Sequence, residues 1–446
     1  MDAATAISKS RMTFRHYLIL FGALLCNLAD GYDLSVIGFA LPHLPEGFAS
    51  SATKGWLISA GVGGIALGAV FIAPLADRWG RRPLLLAAVV MNLVAMVATA
   101  LAVNVEMMFV TRILTGMAVG VIATLSILLA QEYVPASKKN LAAGFVMLGF
   151  PLGTIGGGII GLSVVDMFGG AWQAFFWAGA ALTTVILVYT ARFMPESLSY
   201  LVTQKTPEAK KRIAKIVDQL GLVDVDPSAD AIADPALNDE QSQLALLSKA
   251  FRKRSLLLWV GYSLLTAGYF FVASWTPQLI ADATGNNDTG TTVGTLISVG
   301  GLVGGIVFGI FGIRMAASQL GCVFLTIAFV SQILFALTMQ SGGAMVLAAV
   351  LGFAAYASMT SYISAAGQLY PVQLRGRGLG MMYGLSRFGS ILAPVVAGYA
   401  LNTISSQTMY FAASTLFGIS SVIAFVLWRV TREGAVSEAE LVEVGD

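Results

Sequence analysis

Residues 73–82 read Ala-Pro-Leu-Ala-Asp-Arg-Trp-Gly-Arg-Arg. This acid and three bases separate two apolar runs, at about 54–75 and 84–103, each long enough to cross a hydrocarbon core of about 30 Å. Two spans joined by so short and basic a loop form a membrane hairpin whose turn lies on the cytoplasmic side. Working outward, the same reading yields ten further spans: about 14–41, 107–131, 141–164, 171–194, 256–281, 291–312, 319–339, 344–368, 379–402 and 408–430. The composition agrees, with 57% hydrophobic residues against 11% charged, far below the roughly 25% of a soluble domain. The 48 glycines fit closely packed membrane helices.

Nearly all of the 26 Lys and Arg residues fall in segments that share one side of this twelve-span topology, Lys54 being the exception in a loop opposite. Arg112 and Arg387 lie inside spans. The asymmetry predicts cytoplasmic N- and C-termini. The first fourteen residues are polar and lack a small-residue cleavage site before the long apolar run, so no removable signal peptide is expected. A net charge of +2 gives no reason to expect nucleic acid as a partner, and Cys26 and Cys322 match no metal or redox spacing.

The two halves repeat. Glu-Tyr-Val-Pro from Glu132 and Gln-Leu-Tyr-Pro from Gln368 align at a shift of 236, which also carries Gly116 to Gly352, Gly144 to Gly380 and Gly153 to Gly389. The expected organisation is a six-helix half at 1–194, a cytoplasmic linker at 195–255, a second six-helix half at 256–430 and a cytoplasmic tail at 431–446. Within the linker, Thr206-Pro207-Glu208 reads as a helix start, and Ile213, Ile216, Val217 and Leu220 form an apolar stripe that Gly221 ends, which suggests a helix along the cytoplasmic face; a mostly flexible linker with one transient helix is the alternative. Small-xxx-small spacings at Gly64/Gly68, Gly116/Gly120 and Gly301/Gly305/Gly309 mark expected helix contacts.

Chemistry concentrates at residues 27–34, Asn-Leu-Ala-Asp-Gly-Tyr-Asp-Leu, within the first span. A charged group at the bilayer centre costs about 2.5–3.5 kcal/mol on insertion scales, so an acid there is read first as functional. Asp30 and Asp33 share a helix face at i, i+3. Two carboxylates so close in a poorly solvated cavity resist ionising together, and such a pair can carry a proton. Arg112 lies at a comparable depth and can hold one acid ionised while the other titrates; a permanent, inert salt bridge is the alternative. Arg387, about 12 Å into its span, can clamp a carboxylate bidentately or can snorkel to the surface. Tyr269, Phe270 and Trp275 in the seventh span and Tyr356 and Tyr362 in the tenth can sandwich a planar ring or simply pack. Asn27, one turn before Asp30, can add a hydrogen bond.

The 73–82 stretch resembles the loop signature G-x-L-A-D-R-x-G-R-R/K of the major facilitator superfamily, with Ala73 in place of the first glycine. Pro195-Glu196-Ser197 and Arg112 followed by Gly116 and Gly120 agree with the resemblance, which covers nearly the whole chain. It implies an all-α membrane protein of twelve transmembrane helices in two six-helix repeats, working by alternating access, with Asp77, Arg78 and Arg81 as gating residues. The corresponding loop at 312–318 lacks the acid, so a symmetric pair of latches is not expected.

Asp-Gly-Tyr-Asp at 30–33 is similar to the D-G-F/Y-D signature of the aromatic acid:proton symporters. That likeness implies import of a small aromatic carboxylate, such as a benzoate or hydroxybenzoate, across a bacterial inner membrane by a monomer. The proton would be the coupling ion, with no other cofactor and no metal. Asp30 and Asp33 would couple the proton, and Arg112, Arg387, Asn27, Tyr32, Tyr269, Phe270, Trp275, Tyr356 and Tyr362 would bind substrate. The competing readings are an importer of non-aromatic organic anions, a proton-driven exporter and a non-transporting membrane sensor. No nucleophile–base constellation points to an enzyme.

Overall fold

The computed structural model describes residues 6–7, 10–135, 138–204, 206–220, 246–248, 251–312, 314–370 and 372–443. Twelve helices among them are long and apolar enough to cross a membrane. Their principal helical segments are α1 (Phe14–Ala40), α2 (Ser51–Leu67), α3 (Arg81–Ala100), α4 (Val105–Glu132), α5 (Gly149–Met167), α6 (Gln173–Phe193), α7 (Arg252–Thr284), α8 (Asn287–Phe311), α9 (Ala317–Thr338), α10 (Gly343–Leu369), α11 (Val372–Ala400) and α12 (Ser406–Glu443), the second span continuing past α2 to Trp79 and the fifth beginning at Leu141, in a helix over Lys139–Met147 ahead of α5. Among the described residues all regular structure is helical, as suits a membrane solvent in which helices satisfy every backbone polar group within one segment. After α2 the chain continues through a π-turn at Gly68–Ile72, a 3-10 turn at Ala73–Leu75 and a short helix at Ala76–Trp79. Gly80 then adopts φ 97°, a backbone conformation suited to glycine, and this sharp turn launches α3.

The chain forms two compact units, residues 1–48 with 60–235 and residues 49–59 with 236–446. In the first, Gly31 packs against the Phe150 carbonyl, where a Cβ would collide. The glycine of Asp-Gly-Tyr-Asp is thus a packing residue of the α1–α5 contact. Gly64 of α2 and Gly68 of the π-turn that follows it seat against the backbone of Ile113 and Met117 in α4, and Gly116 faces Gly61.

The second unit repeats this seam residue by residue at the shift of 236. Gly300 and Gly304 of α8 seat against Ala349 and Phe353 of α10, and Gly352 faces Ile297. The α8 seam therefore runs through Gly300 and Gly304, not through Gly301, Gly305 and Gly309. Gly301 and Gly305 instead make room for the ring of Tyr356, which stands where the first half has Gly120, and a Cβ on Gly309 would meet nothing. The spacing alone could not separate two glycine rows one residue apart.

The first turns of α2 belong with the second unit, where Lys54 donates to Gln278 Oε1 at 3.0 Å and Ser59 to the Ile391 carbonyl at 2.6 Å. The amphipathic helix runs Pro207–Leu220, with Ala209, Ile213 and Leu220 buried in the core of the first unit beside Leu198 and Leu201. Thr206 caps it by accepting from the Ala209 amide at 3.2 Å. The linker between 221 and 245 lies outside the described residues.

Candidate functional site

In the first unit, Arg112 of α4 donates through Nη2 to Asp33 Oδ1 of α1 at 2.5 Å, and both side chains are sealed from the surface at 1% and 2% exposure. Thr115, one turn along α4, shares the same nitrogen at 2.5 Å and donates its own proton to the Arg112 carbonyl at 3.0 Å. The guanidinium lies over the Phe176 ring at 5.7 Å, with Gly61 beside it. Nε and Nη1 of Arg112 have no hydrogen-bond partner among the described residues. Arg112 is therefore anchored to Asp33 while keeping two buried donors for another acceptor.

Asp30, one turn before Asp33, is half-buried. The helix thus gives its two acids unlike surroundings: a sealed ion pair for Asp33 and partial access for Asp30. Asn27 donates to Ser126 Oγ at 3.1 Å and to the Ala23 carbonyl at 3.3 Å, tying α1 to α4 beneath the acids. Tyr32 is fully enclosed, and its hydroxyl is spent on the Phe175 carbonyl at 2.6 Å. It holds α1 against α6 and has no free hydroxyl for a ligand, unlike the substrate-binding role its place in the tetrapeptide implied.

The aromatic residues of the second unit divide similarly. Trp275 is buried and donates its indole N–H to the Pro394 carbonyl at 3.2 Å, bracing α7 against α11. Tyr362 donates to Ser420 at 3.0 Å, bracing α10 against α12. Both hold helices together through the polar atom that a ligand would otherwise use. Tyr269 and Phe270 are buried and meet edge to face at 6.1 Å. Tyr356 and Arg387 are half-buried, and both act electrostatically on Tyr262 of α7. Tyr262 and Tyr383 were not singled out in the sequence, although Tyr383 precedes Arg387 by one helical turn, a spacing that places the two on one face.

The motif at 73–82 also gathers charges. Arg81 pairs closely with Glu132 at the end of α4, while Asp77 stands 3.9 Å from Arg81 with its side chain 80% exposed. The acid that holds Arg81 is therefore Glu132, and Asp77 is the looser partner. Arg78 contributes its carbonyl to Tyr200 at 3.4 Å. Arg82 reaches the Met194 and Ala191 carbonyls at 2.8 and 2.7 Å, and Glu196 accepts from the Arg82 and Ser197 amides at 3.0 and 2.8 Å. Glu132 was legible only as the acid opening the repeat alignment, where its counterpart is the uncharged Gln368.

The sequence profile of the Major Facilitator Superfamily matches residues 23–344. The chain belongs to the Major Facilitator Superfamily. As a member of this superfamily it is a multi-pass membrane transport protein and not an enzyme. Among similar superfamily proteins, a gallate transporter of Pseudomonas putida is 29% identical over 95% of this chain and 93% of its own length. The 4-hydroxybenzoate transporter PcaK of Pseudomonas aeruginosa is 28% identical over 88% of each chain. The benzoate transport protein of Acinetobacter baylyi is 23% identical over 94% of this chain and 90% of its own. Among solved superfamily structures, the partially occluded inward-open xylose transporter XylE from E. coli superposes with a TM-score of 0.69 at 16% identity. It covers 93% of this chain and 98% of that one, a likeness of fold.

Proposed function

We propose that this protein imports small aromatic carboxylates across a bacterial inner membrane together with protons, by alternating access, as a monomer with cytoplasmic termini. The observation that carries the reading is the sealed Asp33–Arg112 pair one helical turn from the half-buried Asp30. A buried acid in an ion pair with a guanidinium can serve as a fixed counter-charge, and a neighbouring acid with partial access can exchange a proton within a transport cycle. Asp30 is thus assigned as the proton carrier and Asp33 as the fixed counter-charge that positions Arg112. Similarity to carriers named for gallate, 4-hydroxybenzoate and benzoate supports the aromatic cargo. Arg387 supplies the matching cation in the second unit. With one negative charge on the cargo, one proton makes the loaded carrier electroneutral; each further proton would add about 2.3 kcal/mol of driving force per 100 mV.

The test is uptake of labelled 4-hydroxybenzoate, gallate and an aliphatic carboxylate into proteoliposomes under an imposed pH gradient, acid outside. Accumulation of the aromatic acids that collapses when the gradient is dissipated is expected. Uptake restricted to the aliphatic acid would replace the cargo assignment, and uptake indifferent to the gradient would remove the proton from the mechanism.

A further inference from the structure

Among the described residues the second unit contains a cluster of hydrogen-bond donors without an internal acceptor. Arg387 and Tyr383 stand one turn apart on α11, and Tyr262 faces them from α7. The Tyr262 and Tyr383 rings meet edge to face at 5.7 Å and 85°, and Arg387 acts electrostatically on both phenols. Gly389 permits this approach of the two helices: a Cβ there would stand 3.0 Å from the Ser263 carbonyl oxygen and 3.3 Å from Ala267 Cβ.

Three observations point to a missing partner. Among the described residues Arg387 forms no ion pair, although it stands ten residues into the span Arg377–Ala400. Neither the Tyr262 nor the Tyr383 hydroxyl makes a hydrogen bond among those residues, yet Tyr262 is only 5% exposed. Neither oxygen is among the fully enclosed polar atoms, so both remain reachable. The neighbouring Tyr362 shows the contrast, because its hydroxyl is committed to Ser420. Three donors set within the span, uncommitted among the described residues and still reachable, are placed to meet an acceptor arriving from outside the chain.

We propose that Arg387, Tyr262 and Tyr383 form a three-point carboxylate clamp, in which the guanidinium and both phenols donate to the two oxygens of the substrate carboxylate. An ionised carboxylate accepts about four hydrogen bonds and donates none, which matches a bidentate guanidinium plus two hydroxyl donors. A primary amide of the same shape brings its own N–H donors against this set and leaves the guanidinium without an anion. The inference rests on the proposed function and deepens it: the two tyrosines select an ionised carboxylate over its neutral amide.

Binding of 4-hydroxybenzoate and 4-hydroxybenzamide to the purified full-length protein, measured by titration calorimetry, tests the clamp. The acid is expected to bind the wild type at least about a hundredfold more tightly than the amide, and equal affinities would overturn the clamp without any variant being made. Tyr262→Phe and Tyr383→Phe keep the rings and remove only the hydroxyls. Each should weaken acid binding by about tenfold or more, as expected for a lost hydrogen bond to a charged group. In proteoliposomes the same variants should raise KM and leave the maximal rate near that of the wild type. Unchanged affinity in both variants, or a lowered maximal rate at unchanged KM, would give the tyrosines a packing or gating role and refute the proposal. If the wild type binds no aromatic carboxylate at all, the transport reading falls and the clamp with it, an outcome distinct from a working carrier indifferent to the two hydroxyls.

Discussion

Arg112 and Asp33, far apart in the chain, form an ion pair of 2.5 Å between α4 and α1 from which the surface is wholly excluded. Removing one charge from such a pair strands the other, at a penalty of about 3–5 kcal/mol, whereas replacing both with apolar groups of similar volume costs far less. Asp33→Asn is therefore expected to lower the melting temperature in detergent markedly, and Asp33→Leu combined with Arg112→Met to recover most of it. A thermal-shift series checks this; a single variant as stable as the wild type would show that the pair is not held as described.

Asp30→Asn separates proton coupling from substrate movement. Gradient-driven accumulation should disappear, while exchange of labelled for unlabelled substrate across the membrane should continue, because exchange needs no net proton transfer. Accumulation to the wild-type level in this variant would move the proton elsewhere.

At the 73–82 motif, Glu132→Gln should reduce transport more than Asp77→Asn. Glu132 closely pairs with Arg81, whereas Asp77 is largely exposed and 3.9 Å away, and exposed ion pairs contribute only about 0–1 kcal/mol. Initial uptake rates of the two variants, normalised to protein, decide the order; the reverse order would restore Asp77 as the principal acid.

Glycine substitutions test the repeated seam. Gly300→Ala and Gly304→Ala force Cβ atoms into the backbone of α10 and should each destabilise the protein by about 1–3 kcal/mol, the range for overpacking. Gly309→Ala has open space and should be neutral or slightly stabilising. Thermal unfolding of the three variants compares them directly, and a destabilised Gly309 variant would contradict the assigned register.

Arg387→Lys tests the second unit. A lysine keeps the charge but loses the planar bidentate fork, so substrate affinity should fall by about tenfold or more. Retained affinity would mean that Arg387 serves as an anchor at the membrane surface.

Hydropathy and the shift of 236 determined the twelve-helix, two-repeat architecture by themselves. A membrane solvent permits few spanning structures, and an internal repeat fixes how the helices are grouped. The tetrapeptide at 30–33 and the lone intramembrane arginines were legible for a related reason, since charge in lipid is too expensive to be incidental. Only the tertiary structure decided what each polar atom is bonded to. Asp33 takes Arg112, and Tyr32, Trp275 and Tyr362 spend their polar atoms on neighbouring helices. Among the described residues the Tyr262 and Tyr383 hydroxyls make no hydrogen bond. Sequence spacing places a residue on one face of its own helix, but which helix meets that face, and whether a backbone carbonyl is waiting there, depends on packing between segments distant in the chain.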